Sequence, residues 1–249
     1  MTDEAIPAAT LVLARERPSG PAELLMVERA AGMAFAGGAL VFPGGRIDDS
    51  DRQIAARLGL GEDGAARVAA IRETIEETAM PVGLSGIARP EHCLDLQSAL
   101  AAGGDFSALL DQAGLELDPA VLTPFARWVP KFHASRRFDT LFFVAAAPAP
   151  DREPNPLAGE CTGAFWLTAA EALERDRRGD AQLIFPTRRN LERLARHSSF
   201  ADILADAAAH RVEPITPWVE DVDGEKFVTI PDGLGYPVVR EKLDGLWRG

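Results

Sequence analysis

A chain of 249 residues with 38 acidic against 26 basic side chains has a formal net charge of −12. That balance argues against a nucleic acid polymer as partner, because phosphate backbones are bound by basic surfaces. At 47% hydrophobic and 26% charged residues the composition is that of an ordinary globular protein with enough chain to bury a large core.

No apolar run approaches the roughly 18 residues that a membrane span needs, so no membrane partner is expected. The start, Met1-Thr2-Asp3-Glu4, is acidic where a secretory leader is basic. Cys93 and Cys161 are too few for a disulfide framework. The expected compartment is the cytoplasm.

In chain order, residues 8–15 and 23–28 have strand character, and Arg17-Pro18-Ser19-Gly20-Pro21 between them is turn chemistry, so the pair reads as a hairpin. Arg29 follows the second strand. Ala39-Leu40-Val41-Phe42 is a short strand that delivers Pro43-Gly44-Gly45, a turn at which main-chain groups can approach a metal or a phosphate. Residues 46–63 hold Asp48, Asp49, Asp51, Glu62 and Asp63. These read as loop solvation and helix capping, with Asp63 suited to N-cap the next helix.

A helix is expected over residues 63–80, stopped by Pro81. Glu73, Glu76 and Glu77 share one of its faces, while Val68, Ile71 and Ile75 form an apolar stripe on another. Carboxylates packed this closely raise each other's pKa unless a cation sits among them. Hard oxygen ligands of this kind suit Mg²⁺ or Mn²⁺ rather than zinc. Read alone, though, a Glu-rich helix face is more often plain solvation.

Residues 91–114 are helical with a break at Gly103-Gly104, and residues 121–129 form a strand ending near Trp128. The loop over residues 130–137 carries Lys131, His133, Arg136 and Arg137, a basic cluster in an acidic chain. It reads either as a polar loop, with Arg137 paired to Asp139, or as a grip on substrate phosphate, for which the guanidinium fork is suited. Residues 138–144 lead out as a strand. Glu160 lies in a loop ahead of a short strand at residues 163–167, and Thr168-x-x-Glu171 is a capping box that opens a helix. Two further helices are expected over residues 185–197 and 200–209. The last forty residues read as short strands and turns. Their Trp218, Tyr236 and Trp247 are core or interface residues, with a base-binding slot as the other reading.

Phe42-Pro43-Gly44-Gly45 followed by Arg72-Glu73-Thr74-Ile75-Glu76-Glu77 resembles the signature of the Nudix hydrolases. That family's box is Gly, five residues, Glu, seven residues, then Arg-Glu-U-x-Glu-Glu-x-Gly-U, with U bulky and aliphatic. Three departures stand out. Gly45 to Arg72 spans 27 positions (72 − 45) against 14 in the box, so residues 46–63 read as an insertion. Gly64 stands eight before Arg72, where the early Glu belongs, although the acids of residues 46–63 could supply that carboxylate; Thr74 replaces an aliphatic residue and Ala79 the closing Gly. The segment from Arg127-Trp128 to Arg136-Arg137-Phe138-Asp139-Thr140 is similar to a subgroup with insertions in the box, among them coenzyme A diphosphatases.

The resemblance implies an α/β fold, a Nudix-type α/β/α sandwich with a mixed sheet plus additional C-terminal helices and short strands. Residues 1–249 would form one such domain, with 186–249 as a C-terminal extension packed on the core. It implies Gly45, Glu73, Glu76 and Glu77 as holders of Mg²⁺ or Mn²⁺. Glu73 or Glu160 would be the base, and Arg72 would orient the carboxylates. Arg29, Arg136 and Arg137 would meet the substrate. The implied reaction is hydrolysis of a diphosphate linkage in a small nucleotide-type substrate, with coenzyme A or acyl-coenzyme A first, and ADP-ribose or a nucleotide sugar as the alternative. A second class is a Nudix-fold binding module without turnover, which the missing Glu and Ala79 favour. Members of the family are often homodimers.

Overall fold

A strand buried on both faces sends alternate side chains into two different cores, and β1 (Ile6–Arg15) does so. Its Leu11 and Leu13 point into one core, and its Val12 and Ala14 into the other. The computed structural model describes residues 5–32, 36–86, 91–130, 137–148 and 151–243.

After β1 the chain turns into β2 (Glu23–Arg29), pairing Ala14 with Leu24 and Arg15 with Glu23, as the hairpin reading expects. Next come β3 (Leu40–Val41) and β4 (Gly44–Arg46), then α1 (Asp49–Arg57) and α2 (Gly64–Thr78). Strand β5 (Leu84–Ser85) precedes α3 (Glu91–Ala101) and α4 (Phe106–Ala113), which are separated at Gly103-Gly104 as expected. Strand β6 (Glu116–Leu117) pairs with β5. The central strands follow: β7 (Thr123–Trp128), β8 (Phe138–Ala146) and β9 (Cys161–Thr168). Helices α5 (Ala169–Arg178), α6 (Phe185–Leu194) and α7 (Phe200–Ala209) come next. The described chain finishes with β10 (Pro214–Ile215), β11 (Trp218–Val222), β12 (Glu225–Thr229) and β13 (Arg240–Lys242).

The main sheet runs β10-β7-β8-β1-β2-β3, with β4 added on β1 and β9 on β2. It is mixed: β1 pairs with β8, and β7 with β10, in parallel, while its other pairs are antiparallel. On one face Ile54 of α1, Val68 and Ile71 of α2, Leu96 of α3 and Phe106 of α4 close over Leu11 and Leu13. On the other, Ala172 of α5, Leu191 of α6 and Ile203 of α7 close over Val12 and Met26. The result is the expected α/β/α sandwich. Strands β11, β12 and β13 form a separate antiparallel sheet that sends Val228 into the second core. Among the described residues no helix is long and apolar enough to cross a membrane.

Two local readings need correction. Residues 46–63 are more than a solvated loop, because they contain α1. Its first turn is closed by Asp51, whose carboxylate accepts the Asp48 N–H at 2.9 Å, and acidic residues there favour a helix start. Asp63 does precede α2, but it makes no side-chain cap. Arg67, four residues on, captures its carboxylate at 2.9 Å. At Thr168 the expected capping box is present, with Glu171 accepting the Thr168 N–H at 2.8 Å.

Candidate active site

The expected acidic face of α2 meets the strand carrying the two glycines because β4 lies on β1, with Thr10 opposite Gly44 and Ala9 opposite Gly45. Gly44 has no room for a side chain: a Cβ there would lie 2.4 Å from the Ala9 carbonyl oxygen. Its N–H donates to Glu77 Oε2 at 3.0 Å. At Gly45 a Cβ would fall 2.4 Å from the Glu73 carboxyl group, so the glycine makes space for that carboxylate.

Arg72 explains how the face is held. Its guanidinium, 6% exposed, donates from Nε to Asp51 Oδ1 at 3.0 Å and from Nη2 to Asp51 Oδ2 at 2.9 Å. It also reaches Glu73 at 2.9 Å, Glu76 at 3.4 Å and the Arg46 carbonyl at 3.0 Å. Burial by itself would lower the arginine's pKa, but the bond to Asp51 and the charges of Glu73 and Asp51 outweigh it and hold the group above its ordinary value. Arg72 therefore does pair with Glu76 across one helical turn, but its main partner is Asp51, which sequence reasoning left among the loop acids. Counting six positions forward from Gly45, rather than eight back from Arg72, reaches Asp51. The box's early carboxylate is present, one methylene shorter, and the extra residues lie after it.

The closing position of the box is also intelligible. Ala79, which caps α2, has φ 54 and ψ 24, the left-handed conformation in which glycine is the unstrained residue. Beyond it, residues 155–160 are fastened to the end of α2. Asn155 N–H donates to the Thr78 carbonyl at 2.8 Å, and Leu157 N–H to that of Glu77 at 3.0 Å. Gln97 of α3 donates to the Glu76 carbonyl at 3.0 Å and bonds Asn155 as well. Orphan carbonyls at a helix end need such partners. Here they carry Glu160 to the side of Glu76 and Glu77, whose pKa values its charge helps to raise.

Burial is the largest cause of the shift at all three α2 carboxylates. It takes Glu73 up to about 7, with Arg72 opposing. It takes Glu77 up to about 8, helped by Glu73 and opposed by Arg29 and the Gly44 N–H. Glu76 is raised in the same way, against Arg72. Among the described residues no three His, Cys, Asp or Glu side chains stand close enough to cage an ion by themselves. The donor chemistry nevertheless fits Mg²⁺ or Mn²⁺: all the candidate ligands are oxygens, they are short of positive charge, and Mg²⁺ usually keeps waters and substrate oxygens alongside one or two carboxylates.

These groups line a cavity of about 910 Å³. Arg29, Gly45, Arg72, Glu73, Glu76, Glu77 and Glu160 all belong to its lining. The same lining includes aromatic and apolar groups: Phe42 just after β3, Phe138 and Phe142 of β8, and Phe185-Pro186 from the start of α6. Of the two arginines expected to grip phosphate, Arg136 lies outside the described residues. Arg137 is not among the described residues that line the cavity; its carbonyl accepts the Ile6 N–H at 2.7 Å. The Asp139 carboxylate is engaged by Arg127 at 2.6 Å.

Neither Trp218 nor Tyr236, the described members of the late aromatic set, lines the cavity. Trp218 is 43% exposed. Tyr236 is buried, donating to Asn190 at 2.8 Å and accepting from Trp128 at 3.1 Å. Trp247 lies outside the described residues. No early sequence signal marks Phe185, because its edge-on contact with Trp128 of β7, 5.9 Å between ring centres, arises only from packing.

No family model matches the chain. The crystal structure of a Nudix hydrolase from Alicyclobacillus acidocaldarius is similar to it at 30% identity, covering 82% of this chain and 97% of that one, with a TM-score of 0.71. Human acyl-coenzyme A diphosphatase NUDT19 is 26% identical over 273 residues, spanning 82% of this chain and 69% of that protein.

Proposed function

The chain belongs to the Nudix hydrolase family, and on that premise we propose that it is a divalent-metal-dependent hydrolase of a diphosphate linkage in a nucleoside diphosphate joined to another moiety, with coenzyme A or an acyl-coenzyme A as substrate. The observation that carries the reading is the cavity, whose lining joins the acidic cluster to a set of aromatic side chains. Its volume is near the upper end of the usual range for small-molecule sites, which favours a long ligand over a simple nucleotide. The likeness to the human acyl-coenzyme A diphosphatase supports coenzyme A within that class.

In this reading the Gly45 carbonyl and the carboxylates of Glu73, Glu76 and Glu77 hold the cation. Bound there, Mg²⁺ or Mn²⁺ would neutralise the diphosphate oxygens and acidify the attacking water. Arg72 positions Glu73 and Glu76 and is itself anchored by Asp51. Glu73 is committed on two sides, to Arg72 and to the space over Gly45, which supports a ligand's part for it. Glu160 is exposed and lines the same cavity, so it is assigned the proton from water. Arg29 supplies positive charge to the phosphates, and the aromatic lining takes the part of the substrate remote from the diphosphate.

A panel of coenzyme A, an acyl-coenzyme A, ADP-ribose, NADH and nucleotide sugars, incubated with Mg²⁺ or Mn²⁺ and resolved by chromatography, tests this. Coenzyme A or its thioester is expected to react fastest, releasing 3′,5′-ADP. Faster turnover of ADP-ribose or a nucleotide sugar would move the substrate to that class. The alternative of a binding module without turnover loses one of its two supports, because Asp51 meets Arg72 where the box's early Glu belongs.

A further inference from the structure

Arg29 ends β2 beside a bulge, where the pairing with β9 shifts register between Glu28 and Arg29. Bulges re-aim side chains, and this guanidinium lines the cavity, with Nη1 3.5 Å from Glu77 Oε1. The contact is loose, since charge-assisted bonds of this type run at about 2.7–2.9 Å. Arg29 Nε is buried and, among the described residues, has no hydrogen-bond partner. Arg72 is the opposite case, tied to three carboxylates and a carbonyl. One arginine of the site is anchored. The other rests against a carboxylate with donor capacity to spare.

We propose, building on the assignment of Glu77 as a cation ligand, that Arg29 is a displaceable counter-ion: it balances Glu77 while no divalent cation is bound, and turns to the substrate's diphosphate when a cation takes that carboxylate. Both partners change in one exchange. Glu77 is 3% exposed, and a buried carboxylate left without positive charge is costly, so whenever it ionises without metal Arg29 is the cation at hand. A guanidinium and a divalent ion competing for one carboxylate repel each other, so Arg29 opposes metal binding until a diphosphate draws it away. Once released, its planar fork can serve two phosphate oxygens. Metal and diphosphate then favour each other's binding, as reciprocal coupling requires.

The test is calorimetric binding of Mn²⁺ alone, and of α,β-methylene-ADP at saturating Mn²⁺, to the wild-type protein, Arg29→Ala and Arg29→Lys. Arg29→Ala is expected to bind Mn²⁺ alone about tenfold more tightly and the analogue about tenfold more weakly, the scale of one charge pair a few ångströms apart near a surface. Arg29→Lys, which keeps the charge, is expected to bind Mn²⁺ as wild type does. Should Arg29→Ala not fold, Arg29→Gln carries the same expectations. Mn²⁺ affinity that is unchanged or weakened without the positive charge overturns the exchange while leaving the site intact. A wild-type protein that binds no Mn²⁺ overturns both the exchange and the site on which it rests.

Discussion

Removing Asp51 tests whether the altered box still holds its arginine. Asp51 is fully buried and Arg72 nearly so, and two bonds of 3.0 and 2.9 Å join them. Breaking a buried pair by deleting one partner costs about 3–5 kcal/mol, because the remaining charge stays buried. Glu73, Glu76 and the Arg46 carbonyl still face Arg72, so the lower part of that range applies. Asp51 also accepts the Asp48 N–H, and losing that helix-start bond adds roughly 1 kcal/mol. Asp51→Ala is therefore expected to cost about 4 kcal/mol, or roughly 10 °C in melting temperature for a chain of this size. Thermal unfolding followed by circular dichroism measures it, with Asp49→Ala, on the exposed side of the same turn, as control. A loss of about 1 kcal/mol or less, equal to the control, would show that Asp51 does not anchor Arg72.

Other expectations follow from the same geometry. Gly45→Ala puts a Cβ into the Glu73 carboxylate, a movable side-chain end, so stability should change by less than about 1 kcal/mol while Mn²⁺ affinity falls. A large melting shift with unchanged Mn²⁺ binding would contradict it. For Glu77 the pKa is raised from 4.5 to about 8, so the folded protein holds the proton more tightly than the unfolded chain. The stability this lends is full below pH 4.5 and is lost as pH rises to about 8, a change on the order of 4 kcal/mol. In EDTA, Glu77→Gln should flatten that slope and melt above wild type at pH 8.5, and a lower melting point there would count against the buried charge. Glu160→Gln should lower kcat with Mn²⁺ affinity unaltered, whereas Glu73→Gln should lower both; the reverse pattern would exchange their roles.

The acidic face of α2 was legible because helical spacing and the Gly-Gly turn are local patterns, and the structure brings the two together through the pairing of β4 with β1. The sandwich was legible for a similar reason, since strands such as β1 declare burial on both faces by being apolar at nearly every position. Asp51 was one of several acids that could supply the early carboxylate, but an insertion placed after it displaces any count taken backwards from Arg72, so nothing singled it out. Its partnership depends on α1 folding onto α2, which no local signal announces. The aromatic lining was illegible in a different way. Phe42, Phe142 and Phe185 come from segments far apart in sequence, and each taken singly looks like core. Tyr236, which stood out as an aromatic, is buried against Trp128 and Asn190 instead. Arg29 was placed near the substrate by resemblance alone, and its contact with Glu77 comes from a bulge that the strand pattern does not reveal.

The measurement that bears most directly on the site is the rate of coenzyme A hydrolysis as a function of Mn²⁺ concentration, in wild type and in folded Glu77→Gln. Wild type should be inactive in EDTA and rise to a plateau with Mn²⁺, while Glu77→Gln should stay near background at every concentration. Turnover by wild type in EDTA, or a Glu77→Gln variant that follows the wild-type curve, would place the chemistry somewhere other than this cluster of carboxylates.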